Sequence, residues 1–196
     1  MKTVLIKYNA GNTQSVLYAL ERLGVSAEIT DNPEHIRAAD KVIFPGVGEA
    51  SSAMRNLQET GLDKVIKSLQ QPVLGICVGM QLLCAHSEEN NIDCLNLIPV
   101  QVKKFTSTDE IIKIPQMGWN TIYQLKSSLF ENIAENSFIY NVHSYYAEDS
   151  SYTIAQCHYG VTYAAAVQKG NFYGVQFHTE KSAQTGDQIL KNFLAI

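Results

Sequence analysis

Pro72-Val73-Leu74-Gly75-Ile76-Cys77-Val78-Gly79-Met80-Gln81 is the stretch that decides the fold. Residues 73–77 form a continuous apolar run, the mark of a strand buried on both faces. Residues 79–86 then carry a helical pattern. A strand that passes through Gly-x-Cys-x-Gly into a helix is the cysteine form of a nucleophile elbow. The bend leaves no room for side chains on either flank, so glycines stand two before and two after the cysteine. The helix starts at Cys77, and its N-terminal dipole favours a thiolate, the form that attacks. The usual fate of a free cysteine is burial in a core, and Cys84, Cys94 and Cys157 are read that way. Cys84 lies seven residues along the same helix, about 10 Å from Cys77 by helix rise, too far for a disulfide.

Outward from this elbow, short β-branched runs alternate with helical periodicity. Residues 2–8, 25–30 and 41–45 read as strands. Residues 13–23 read as a helix with Val16, Leu17, Leu20 and Leu23 on one face, stopped by Gly24. Asp31 and Pro33 open a turn or short helix, and helices are expected near 49–59 and 62–70. This opening predicts an α/β fold with a mostly parallel central sheet flanked by helices. The second half changes to strand-like runs at 97–105, 111–114, 119–124, 137–142, 152–158, 163–168 and 171–177. Short turns separate them, so they are expected as antiparallel additions to the sheet. A last helix is expected at 182–195, with Thr185 and Gln188 spaced as a capping box and Ile189, Leu190, Phe193 and Leu194 as its buried stripe.

The chain has 196 residues, which suits one domain spanning 1–196. A net charge of −4 argues against a nucleic-acid footprint. No run approaches the roughly 18 apolar residues of a membrane span. The N-terminal apolar run meets Lys7 and Asn9 at once, unlike a secretory leader, so the cytoplasm is expected. The four cysteines show no framework spacing and no CxxC pair, so neither disulfides nor a structural metal is expected. No cofactor is implied.

A thiolate nucleophile needs an imidazole to move protons. Of the five histidines, His178 ends the apolar run Gly174-Val175-Gln176-Phe177-His178, and Glu180 follows two residues later. On an extended chain the two side chains share a side, so Glu180 can orient the ring in a triad. His35 and His86 read as surface helix residues and His158 as a strand residue near a turn. Acyl transfer also needs N–H groups aimed at the developing oxyanion. Val78, directly after the nucleophile, supplies one. Gly46, Val47 and Gly48 in Pro45-Gly46-Val47-Gly48 are candidates for a second, although on its own this segment reads as no more than an ordinary strand-to-helix turn.

Several motifs fall in order over nearly the whole chain: Gly11-Asn12, PGVG at 45–48, GICVGMQ at 75–81, Pro115-Gln116-Met117-Gly118-Trp119-Asn120, His143-Ser144-Tyr145 and GVQFHTEKS at 174–182. Together they resemble the class I (triad) glutamine amidotransferase family, and within it the glutaminase subunits of imidazole glycerol phosphate synthases. The resemblance implies that Cys77 attacks the glutamine side-chain amide and that water hydrolyses the γ-glutamyl thioester, with His178 as base and acid and Glu180 orienting it. It implies glutamine contacts from Gln81 and Glu89 and from backbone at Gly48 and Ser144–Tyr145. It implies passage of ammonia to a partner (β/α)₈-barrel cyclase in histidine biosynthesis, with Asn12, Trp119, Tyr140 and Lys181 at the subunit interface. It also implies activity coupled to the partner's ligand, with a peptide in Gly46–Gly48 rotating to complete the oxyanion site.

Two departures from the family pattern stand out. Thr179 replaces a common proline between the triad histidine and glutamate, and IKYNAGN at 6–12 replaces a commoner acidic, glycine-rich form. Competing readings are a glutaminase subunit serving another synthase, which the PxMGWN box argues against, and a non-catalytic scaffold, which an intact Cys77, His178 and Glu180 argues against.

Overall fold

The computed structural model describes residues 1–106 and 113–196. Its elements in chain order are β1 (Thr3–Ile6), α1 (Thr13–Arg22), β2 (Ala27–Thr30), α2 (Pro33–Arg37), β3 (Lys41–Gly46), α3 (Ala50–Thr60), α4 (Leu62–Lys67), β4 (Val73–Cys77) and α5 (Val78–Leu83). There follow β5 (His86–Ser87), β6 (Ile92–Asp93), β7 (Gln101–Lys104), β8 (Gln116–Ile122), β9 (Ser137–His143), β10 (Tyr145–Ala147), β11 (Thr153–Tyr159), β12 (Val161–Lys169), β13 (Phe172–Val175) and α6 (Ala183–Ala195).

The sheet order is β2-β1-β3-β4-β13-β12-β10-β7-β5-β6, with β11 beside β12. Strands β2, β1, β3, β4 and β13 are parallel. Strands β12, β10 and β7 add on antiparallel. The expected mostly parallel sheet with antiparallel additions is therefore present. Val4, Leu5, Ile43, Phe44, Val73, Leu74 and Val175 are fully buried, as continuous apolar strands between helix layers require. Gly46 lies opposite Cys77 on one side and Val175 lies opposite Ile76 on the other. The C-terminal ends of three parallel strands thus meet at one point, the usual place for a site in such sheets.

Several sequence expectations need correction. The helix expected over 79–86 stops at Leu83, because the backbone of Cys84 turns extended. The carbonyls of Leu82, Leu83 and Cys84 accept N–H groups from Leu95, Leu97, Ile98 and Asn96 instead of from a further turn. His86 is consequently a strand residue, paired with Gln101, and the strand expected from 97 begins only at Gln101. The same loop closes the helix before Cys84, which is its C-terminal cap. Strands β8 and β9 pair with each other as a separate hairpin rather than extending the main sheet. Thr185 lies inside α6 and does not cap it. The residue at the helix start is Ser182, whose hydroxyl is committed elsewhere, and Gln188 donates to Asn192. Of the strand expected over 111–114, residues 111 and 112 lie outside the described residues, and 113 and 114 are not in a strand. Among the described residues, no helix is long and apolar enough to cross a membrane.

Candidate active site

Cys77 ends β4 with φ 54° and ψ −113°, a backbone conformation that L-residues rarely adopt. The close approach of α5 to β3 enforces this bend. A Cβ on Gly79 would sit 1.8 Å from the carbonyl oxygen of Phe44, so only glycine lets the helix start there. The Cys77 side chain is buried and opens onto a cavity of about 360 Å³. The other three cysteines are also free and buried. Burial pushes the Cys94 thiol up to about 12 and raises Cys84 and Cys157 as well, so these thiols are inert at neutral pH.

His178 is held from three directions. Its N–H donates to the Tyr140 carbonyl at 3.0 Å. Its carbonyl accepts from the Ser182 hydroxyl at 2.6 Å, and that hydroxyl accepts from the Tyr140 N–H at 2.9 Å. Its Nδ1 lies 2.8 Å from Glu180 Oε1. The pairing of His178 with Glu180 expected from an extended chain is achieved differently: Thr179–Lys181 form a 3-10 turn. That turn is pressed onto α6, where a Cβ on Gly186 would lie 1.9 Å from the Thr179 carbonyl oxygen. Threonine in place of proline therefore sits in a turn locked by its neighbours.

Burial pulls the His178 imidazole down, but its hydrogen bonds and charge interactions with Cys77 and Glu180 outweigh this and hold it at about 10. These partners favour the imidazolium form of the ring, between sulfur and carboxylate. Glu180 Oε1 also accepts from the Asn12 amide at 3.2 Å. Asn12, expected at a subunit interface, thus reaches the orienting carboxylate directly. His143, next to the same cavity, behaves oppositely. Burial first, and then the charge of His178, lower it to about 4 against the bond its Nδ1 makes with the Tyr145 carbonyl.

The cavity wall includes Val47, Gly48, Cys77, Val78, Gln81, Glu89, Ser144, Tyr145, His178 and Lys181. The candidates for attack, oxyanion binding and substrate binding thus come together, with Gly46 one residue behind Val47. Glu89 is more than a solvated acid: its Oε2 accepts the Ala50 N–H at the start of α3 at 2.6 Å, and partial burial raises it. Trp119 and Tyr140 stand apart from the cavity on the β8–β9 hairpin, with ring centroids 5.6 Å apart.

Against known proteins, residues 4–196 match the family model for glutamine amidotransferase class-I. The chain belongs to the class I glutamine amidotransferase family. It is 55% identical over 196 residues, all of both chains, to the imidazole glycerol phosphate synthase subunit HisH of Bacteroides fragilis. It is 46% identical to the same-named subunit of Idiomarina loihiensis, over 100% of this chain and 98% of that one. Among solved structures, PurLQS from Thermotoga maritima matches with a TM-score of 0.71 at 18% identity, covering 99% of this chain and 97% of that one, a likeness of fold.

In this amidotransferase three contributors escape a reading of sequence alone. Tyr8 donates its hydroxyl to the Pro45 carbonyl at 2.8 Å, bracing the segment before Gly46. Ser182 ties His178 to β9, as above. The Gln176 amide stands 3.8 Å from Cys77 Sγ. Only Gln176 left a signal, since it precedes His178 by two residues and an extended chain would put both on one side.

Proposed function

We propose that this chain is the glutaminase subunit of an imidazole glycerol phosphate synthase, hydrolysing glutamine to glutamate and ammonia for a barrel cyclase partner. The observation that carries this reading is the line from Cys77 to His178, both at the wall of one cavity, and on to the buried Glu180 behind them. The relatives' printed names supply the synthase. We take residues 1–196 as one amidotransferase domain, a reading supported by the hydrophobic core that the described residues share. Free, buried cysteines suit a compartment that keeps thiols reduced, and we place the chain in the cytoplasm.

The Cys77 thiolate attacks the side-chain carbonyl carbon of glutamine. Charge on the carbonyl oxygen is met by the Val78 N–H and an N–H of Gly46–Gly48. The His178 imidazolium protonates the leaving nitrogen as the C–N bond breaks, and ammonia departs. Neutral His178 then takes a proton from water as the water oxygen bonds to the thioester carbon. The C–S bond breaks, its electron pair returns to sulfur, and glutamate is released. Glu180 keeps the ring oriented and balances its positive charge. Gln81, Glu89, Gly48 and the Ser144–Tyr145 segment hold the amino-acid end.

The Val47 N–H donates to the Ala10 carbonyl at 2.6 Å, so it is occupied away from the oxyanion. Completing the site with the Val47 N–H, by rotating the Gly46–Val47 peptide, requires breaking that bond, and the loop containing Ala10 also carries Asn12. Partner docking fits the same region. Met117, Trp119 and Phe138 are 64%, 54% and 61% exposed on the hairpin, an apolar face suited to a subunit contact. Tyr140 packs against Trp119 on that hairpin and Lys181 lines the cavity. Together they form a heterodimer surface through which the cyclase's ligand can act on the oxyanion segment.

The test is ammonia release from glutamine by the chain alone and with a cyclase subunit and its nucleotide. Release is expected to be low alone and strongly stimulated in the complex, and Cys77→Ala is expected to abolish it, a loss of at least ~10³-fold. Full activity of the isolated chain would defeat the switch. Stimulated release that survives Cys77→Ala would defeat the assignment itself.

A further inference from the structure

Gln176 is fully buried, immediately after β13, and no step above uses it. Burying a primary amide is unfavourable unless each end finds a partner, so its surroundings define its role. Its Oε1 accepts from Gln81 Nε2 at 2.9 Å, and its Nε2 points at Cys77 Sγ at 3.8 Å. Gln81 Nε2 also donates to the Tyr145 carbonyl at 3.1 Å.

These contacts fix the direction of every bond in the chain. The Tyr145 carbonyl can only accept, so the Gln81 atom facing it is the NH₂. That same NH₂ faces Gln176, so the Gln176 atom toward it is the carbonyl oxygen. The other end of Gln176, toward the sulfur, is then an N–H donor. Residues 176 and 178, two apart in the segment that follows β13, therefore both aim N–H groups at Cys77, one from an amide and one from the imidazole.

We propose that Gln176 is a further catalytic residue, whose amide N–H binds the Cys77 thiolate, held in its donor orientation by Gln81 and the Tyr145 carbonyl. This rests on the reading of Cys77 as the nucleophile and deepens it. The two donors differ in what happens to them during turnover. His178 gives up its proton to ammonia and is neutral when water attacks the thioester. At that step the C–S bond breaks, the electron pair goes to sulfur, and the proton of water goes to His178. Gln176 cannot ionise near neutral pH, so its N–H is still available to receive charge on the departing sulfur. The amide thus supports thiolate both as nucleophile and as leaving group.

The experiment is the rate of iodoacetamide alkylation at Cys77, located by mass spectrometry, in the isolated full chain between pH 6 and pH 10. Gln176→Met fills the same space without a donor. Its alkylation is expected to be about tenfold slower than wild type at pH 7, from loss of a hydrogen bond to a charged group. The two rates should converge as the pH rises, because what the donor supplies is a preference for the thiolate over the thiol. A ratio near one at all pH values, or one that does not change with pH, would overturn the proposal, since mere loosening of structure would not track ionisation. Should Gln176→Met fail to fold, the side-chain NH₂ resonances of Gln176 in ¹⁵N-labelled wild type decide the matter. They are expected to shift with pH and to lose that dependence in Cys77→Ala; no dependence in the wild type overturns the proposal. Neither readout uses glutamine turnover, so failure here is separate from failure of the glutaminase reading.

Discussion

His178, three residues past β13, and His143 at the end of β9 are buried almost equally, at 4% and 6% exposure, beside one cavity, and their affinities for a proton are shifted in opposite directions. His178 faces a carboxylate and a sulfur and is held up at about 10. His143 faces a backbone carbonyl and the Tyr163 hydroxyl, and burial takes it down to about 4. Desolvation pushes both rings the same way. The partners decide the outcome, and the charge on His178 itself helps keep His143 neutral. A site can therefore hold one imidazole for proton transfer and another as a fixed neutral strut without placing either in water.

The sharpest way to break this comparison is to remove each ring's chemistry in turn. His178→Asn retains an amide over Glu180 but cannot carry a proton. Cyclase-stimulated ammonia release is expected to fall by about 10³-fold or more. Glu180→Gln leaves the ring but removes the charge that holds it, and a loss on the order of 10²-fold is expected, with the Asn12 contact retained. His143→Gln should cost about tenfold or less, because no proton passes through it. Initial rates on the purified complex check all three. An effect of His143→Gln equal to that of His178→Asn would erase the distinction.

A second prediction concerns alkaline stability. The folded-state pKa of His178 is raised above the unfolded value of about 6.5. The resulting stabilisation is fully present below about pH 6.5 and is lost as pH rises through about 10. The gap in Tm between wild type and His178→Asn should therefore narrow steadily from pH 6.5 to pH 10. Thermal melts across that range measure it, and a constant gap would mean that the ring is neutral throughout.

How much of this was legible in sequence depends on the distance over which each feature is fixed. The elbow could be read because its causes are local: glycines two residues either side of Cys77 and an apolar run before it. His178 and Glu180 could be paired because they are two residues apart, although the connecting backbone is a 3-10 turn pressed on Gly186 rather than a strand. The cap of α6 was misread because the Ser182 hydroxyl serves Tyr140 and His178, contacts set by tertiary packing. The end of α5 was misread because residues 95–98 take its last carbonyls. The bond from Asn12 to Glu180 joins residues far apart in the chain. No periodicity could announce it.

The smallest expected effect lies on the acid side and belongs to His143. Its folded pKa is lowered to about 4, so between about pH 6.5 and pH 4 the unfolded chain binds a proton that the native chain refuses. A depressed base works against the fold as pH falls through this window, because the unfolded state binds more protons. The slope from one such group is at most about 1.4 kcal/mol per pH unit. His143→Gln removes that group, so its stability should decline less steeply than wild type from pH 6.5 to pH 4, whatever it loses in packing at pH 7. Carboxylates titrate in the same range, but they are common to both proteins and cancel in the difference. Urea unfolding at half-unit pH intervals gives that difference directly. Parallel curves for the two proteins would place a proton on His143 in the native state and end the contrast with His178.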